Sequence, residues 1–180
     1  MLSTSELRTE VDSTTWPYPE GVASLNRLRL RARAFTRMPT RSKLVFVPAL
    51  VLNPLFRVVV KRKGIKSATA LALRFAGQPV VGSTKPAEAL PIARQVVLGV
   101  RAAAGALPLE VVCLPRSLTA WTILNRLGVD SSLRVGMDPS AGLRTAHAWV
   151  EVDGEAVGEI PTHIAQMADF AEPILGTRAP

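Results

Sequence analysis

The sequence predicts an α+β fold: a helical amino-terminal half, then a small core in which one helix packs on an antiparallel sheet. Three observations predict it. Apolar residues recur at helical spacing before residue 128, most clearly Leu90, Ala93, Val97 and Val100. Beyond Ser131 the pattern becomes short and extended, with Asp153-Gly154 as a hairpin signal between two apolar runs. The 180 residues are 48% hydrophobic and 20% charged, a globular composition that argues against disorder over most of the chain.

Taken in order, residues 1–20 read as a flexible arm ending in the turn-rich Trp16-Pro17-Tyr18-Pro19. Residues 23–37 read as a basic helix. The run from Leu44 to Val60 reads as a buried or interfacial helix broken near Pro48 and Pro54. Residues 67–76 form a short helix closed by Gly77. Pro86 suits the first turn of a helix over 86–104, which Gly105 ends. Residues 113–127 form the next helix, with Leu118, Trp121, Ile123, Leu124 and Leu127 turned inward and Gly128 as its stop. Ser131 to Val135 is a strand, 138–142 a loop, Ala146 to Val152 a strand, and Glu155 to Ile160 its return. The organisation is an arm (1–20), a basic helical region (21–85), a core (86–165) and a tail (166–180).

Composition excludes several classes. One cysteine forbids an intramolecular disulfide, and with two histidines it is too few for a zinc finger or ribbon. No metal or cofactor is expected. The amino terminus lacks the apolar core of a signal peptide, so a cytoplasmic location is expected. The formal net charge is +8, unevenly spread: residues 21–87 hold fourteen Lys/Arg and no Asp or Glu. That half should attract an anionic partner, whether acidic peptide, protein face, membrane surface or nucleic acid. The Leu44–Val60 run is too interrupted to span a bilayer, but its continuation Lys61-Arg62-Lys63-Gly64-Ile65-Lys66 suits anionic lipid, so membrane association is a second expectation. Aromatics are only 5% and no nucleic-acid motif is present, so nucleic acid is not an expected partner.

Cysteine chemistry must use Cys113 with His147 or His163. Cys113 opens a helix, where the positive end of the dipole favours thiolate. His147 lies in the strand AHAWVEV and would supply the base, whereas His163, in the tail, reads as a surface residue. A lone cysteine and a strand histidine are also common core residues. Glu151, Asp153 and Glu159 are the carboxylates available to orient the imidazole. Glu151 is about 13 Å along the same strand from His147, too far for a direct bond. A two-residue Asp-Gly loop would turn Glu159 to the other face of the sheet, while a longer loop or bulge would set it opposite His147. Preferring Glu159 therefore predicts an irregular turn at 152–155.

The run from Cys113 to Trp121, then Asn125-Arg-Leu-Gly-Val129, Leu133-Arg-Val-Gly136, and Ala146-His-Ala-Trp-Val-Glu151 with Asp153-Gly154 is similar to one family. It resembles the transglutaminase-like leader peptidases of lasso-peptide biosynthesis over about residues 88–160. The resemblance implies a transglutaminase/papain-like core and a Cys-His-acid triad. It also implies removal of the leader from a ribosomally made precursor before a separate cyclase closes the macrolactam. The nucleophile maps to Cys113 and the base to His147. The acid, usually Asp, falls on Glu159, which is a departure. Implied partners are the precursor peptide, a small leader-recognition protein and the macrolactam-forming cyclase. Beside it, the backbone N–H of Cys113 is expected as an oxyanion donor. Arg116 and Ser117 are expected in surface-charge and capping roles, and Trp149 in a groove wall or the core. Two other readings use the same sequence: a transglutaminase-like acyltransferase, and a non-catalytic basic adaptor.

Overall fold

Eight basic side chains and no acidic one fall between Thr40 and Ala76, yet this stretch is also the most apolar of the chain. It folds as the longest helix, α1 (Thr40–Ala76). The computed structural model describes residues 35–77, 84–138, 146–169 and 173–176. The arm at 1–20, most of the predicted helix at 23–37, the connector at 78–83 and the greater part of the loop after Asp138 lie outside them.

The prolines do not break α1 as expected. Pro48 and Pro54 both lie inside it, and the only non-helical backbone is at Gly64 (φ 78, ψ 177). A proline costs a helix about 3 kcal/mol through its missing N–H and its clash with the preceding turn. Here burial of Val45, Ala49 and Phe56 holds the helix together across both sites. The kink falls instead at the one residue without a Cβ, which adopts a positive φ at little cost. Gly77 closes the helix as predicted, its N–H bonding the carbonyl of Leu73.

Two shorter helices pack with it among the described residues, α2 (Pro86–Ala106) and α3 (Cys113–Arg126). Gly105 does not end α2, which runs one residue further to Leu107 as its cap. Ala93, Val96, Val97 and Val100 of α2 and Leu118, Trp121 and Leu124 of α3 share one core with α1. Leu127, predicted to point inward, lies just past α3 and is 45% exposed. Buried polar side chains pin α1 to α2: Ser42 Oγ donates to the Gln95 carbonyl at 2.8 Å, and Asn53 Nδ2 to the Val100 carbonyl at 3.2 Å.

The chain then forms β1 (Ser132–Met137), β2 (Ala146–Val152), β3 (Glu155–Ala156), a short helix α4 (Pro161–Ala165) and β4 (Ala168–Asp169). The sheet is antiparallel in the order β3-β2-β1-β4. This is the α+β arrangement the sequence predicts, with the cysteine helix against a small antiparallel sheet.

The hairpin between β2 and β3 corrects one expectation. Its loop is the regular two-residue turn, with Val152 opposite Glu155 and both Asp153 (φ 51) and Gly154 (φ 77) at positive φ. That is the type I′ geometry whose twist suits a tight hairpin. The irregularity lies downstream. The return strand ends after Ala156, Val157 donates to the Val150 carbonyl at 2.9 Å, and the chain turns at Gly158 (φ 75).

Candidate active site

The early end of β3 leaves part of one strand edge open. Val150 still bonds Val157 across that edge. In an antiparallel ladder, residues two apart present their N–H and C=O groups to the same side. Ala148 and Ala146 therefore face the place where β3 would have continued. The start of α3 occupies it. Ser117 Oγ donates to the Ala148 carbonyl at 2.8 Å, and Cys113 Sγ lies 3.9 Å from the Ala146 carbonyl. Ser117 is thus buried and ties the cysteine helix to β2, which corrects the capping role expected for it.

Cys113 is the first residue of α3, and no side chain caps the helix ahead of it. Its sulfur is partly exposed. Burial pushes the thiol pKa up. Against that act a hydrogen bond from His147, a backbone bond from Ala148, the charge on His147 and the backbone N–H of Leu114, and the net result lies below the ordinary value. Helix start and strand edge thus both supply donors to a thiolate.

His147 is held on both sides. Its Nε2 lies 3.1 Å from Glu159 Oε2, which leaves Nδ1 for the sulfur. The hydrogen bond to Cys113, then that to Glu159, raise its pKa to about 9 against the opposing effect of burial. Trp149, two residues along the strand, stacks on the imidazole with ring centroids 6.2 Å apart and planes 16° apart. Trp149 is only 2% exposed, so it supports the ring from the core rather than walling a groove. His163 is exposed, as expected of a surface residue, and α4 brings its ring to 5.5 Å from that of His147.

Glu159 reaches His147 because the chain turns at Gly158, so neither of the other two carboxylates takes this position. Glu151 Oε2 accepts from Arg134 Nε at 2.8 Å, and Asp153 sits at the exposed hairpin tip. The second oxygen of Glu159 accepts from Arg101 Nη2 at 2.6 Å. Burial pushes the Glu159 pKa up, but the bond to His147 and the Arg101 charge outweigh it and hold the carboxyl below its usual range. Arg101 was not foreseen. It lies one turn beyond Val97 on α2, next to buried Val100. Arg116, Arg101, Ser117 and Glu159 line a small recess between α2, α3 and β2. Among the described residues no group of three or more His, Cys, Asp or Glu side chains is arranged to hold a metal ion.

A cysteine at a helix start, a histidine on the facing strand and a carboxylate behind it form a unit able to carry out thiolate chemistry. The family model of the transglutaminase-like superfamily matches residues 55–171, which contain all three. The chain belongs to the transglutaminase-like superfamily. This superfamily includes cysteine peptidases and acyltransferases. The matched span begins inside α1, so the superfamily domain takes in part of the basic region as well as the sheet. No curated protein and no solved structure matches the chain significantly.

Proposed function

We propose that this transglutaminase-like protein is a cysteine peptidase that removes the leader from a ribosomally synthesised lasso-peptide precursor. The observation that carries the catalytic part is the unbroken line from Cys113 through His147 to Glu159, with the sulfur at a helix start and the imidazole 3.1 Å from the carboxylate. The substrate class is supported by the resemblance of residues 88–160 to leader peptidases, within the span that the superfamily model matches.

The Cys113 thiolate attacks the scissile carbonyl carbon, and a C–S bond forms. The oxyanion is met by the backbone N–H of Cys113. His147, carrying the proton, gives it to the leaving amine as the C–N bond breaks, then takes a proton from the water that hydrolyses the thioester. Glu159 fixes the ring and stabilises its charge. Arg101 is a positioning residue: it grips the oxygen of Glu159 that His147 leaves free. A small leader-recognition protein would present the precursor in the cytoplasm, and the macrolactam-forming cyclase would take the product.

The test is cleavage of a lasso precursor by the purified full chain with its recognition protein. Cleavage that Cys113→Ala abolishes while precursor binding persists is the expected result. Cleavage that survives the substitution refutes the assignment. An amide to an added amine in place of a free carboxyl product would make the same site an acyltransferase.

A further inference from the structure

The catalytic unit makes no use of the outward face of α1. Leu44, Val47, Val51 and Val58 are spaced three, four and seven residues apart, which sets them on one side of the helix. They are 70%, 65%, 65% and 44% exposed. The opposite side, including Val45, Ala49, Asn53 and Phe56, is buried. The outward stripe is about 20 Å long and wholly aliphatic. Exposed Arg41 precedes it, and exposed Lys61, Arg62, Lys63 and Lys66 follow it, with no acidic residue anywhere in the helix.

We infer that α1 lies along an anionic bilayer surface, its aliphatic stripe in the acyl boundary and the 61–66 basic cluster on the headgroups. Charge complementarity selects this occupant: a long apolar face ending in a cluster of one sign is the pattern of an interfacial helix. By length and composition α1 would also suffice to cross a membrane. Yet its inward face bonds α2 through Ser42 and Asn53, so insertion across the bilayer would break the core, whereas lying flat preserves it. This inference goes beyond the peptidase reading and does not depend on it.

The test is flotation of the full chain with phosphatidylcholine vesicles, with and without a phosphatidylglycerol fraction, at low and high salt. The chain should float only with the anionic vesicles and less as salt rises. The triple variant K61Q/R62Q/K63Q should lose about fivefold in partitioning per charge, roughly a hundredfold together. The double variant V47S/V51S should lose at least about tenfold by removing inserted carbon. Both variants should keep the helical circular dichroism and the thiol alkylation rate of the unmodified chain. Failure to float with anionic vesicles, equal binding to both vesicle types, or full binding by V47S/V51S overturns the inference. A dimer that V47S/V51S dissociates, with no flotation, overturns it too and assigns the stripe to a second copy.

Discussion

Replacing Glu159 by Gln tests whether the carboxylate sets the charge of His147. The Nε2–Oε2 distance is 3.1 Å, and the two side chains are 18% and 15% exposed, so water screens the pair little. A hydrogen bond to a charged group contributes about 1.5–3 kcal/mol. At 1.36 kcal/mol per pH unit this is about one to two units. The His147 pKa of about 9 should therefore fall to about 7–8 in the variant. Arg101, relieved of its partner, stays nearby and pushes the same way. With two histidines in the chain, the ring-proton NMR titration needs only one assignment. The same shift should move the alkaline limb of cleavage down by the same amount, because a deprotonated His147 cannot protonate the leaving amine. An unchanged His147 titration in E159Q would refute the reasoning, for the histidine would then draw its basicity from the sulfur alone.

Gly158→Ala should destabilise the fold by about 2–3 kcal/mol, since φ is 75° and the new Cβ would sit 2.8 Å from Val97 Cγ1. Urea titration measures this, and cleavage by the folded fraction should fall as well because Glu159 is displaced. Ser117→Ala should cost about 1–3 kcal/mol by leaving the buried Ala148 carbonyl unpaired, read as a lowered urea midpoint. Arg101→Gln should lower kcat with little change in KM and move the acid limb upward, since Glu159 loses the charge that holds it ionised; Arg101→Lys should restore part of both. The pH dependence of stability has an internal cancellation. His147 keeps a proton in the folded chain from 6.5 to about 9, which alone makes stability fall as pH rises through that window. Cys113, lowered from 9.0, gives up a proton early and makes stability rise below 9.0. Transfer of one proton between them leaves the net count unchanged, so denaturation midpoints should stay flat across the shared range. Cys113→Ser should expose a decline above 6.5, now driven by Glu159 alone. Glu159 adds stability above 4.5 that is lost as pH falls through its depressed folded value.

Much of the site was legible because its chemistry is scarce. A single cysteine at a helix start and a single strand histidine leave few pairings to consider. The strand Ala146–Val152 and its Asp-Gly turn were readable from alternation and turn chemistry. What sequence pattern could not supply was tertiary. Helix propensity breaks α1 at Pro48 and Pro54, but packing of Val45, Ala49 and Phe56 overrides it. Glu159 owes its position to the bend at Gly158 rather than to an irregular loop at 152–155, and a glycine just before the glutamate is itself a bend signal. Arg101 belongs to another helix, 58 residues from its partner, and no local pattern connects them.

The site exists because a strand stops early. Had β3 continued past Ala156 in register, the edge groups of Ala148 would have been spent on its ladder, and Glu159, opposite Ala148, would have pointed away from the imidazole. Turning at Gly158 does two things at once. It frees the Ala148 N–H for the Cys113 sulfur and its carbonyl for Ser117, and it swings the Glu159 carboxylate onto His147. Helix docking and acid placement are therefore consequences of one backbone event. The two should fail together: Gly158→Ala should weaken the α3–β2 attachment as well as the Glu159–His147 bond, whereas Ser117→Ala should loosen the helix and lower the His147 titration only through the Cys113 contact, with the Glu159 bond kept. If Gly158→Ala lowers stability but leaves that titration in place, the turn is packing alone and the coupling is wrong.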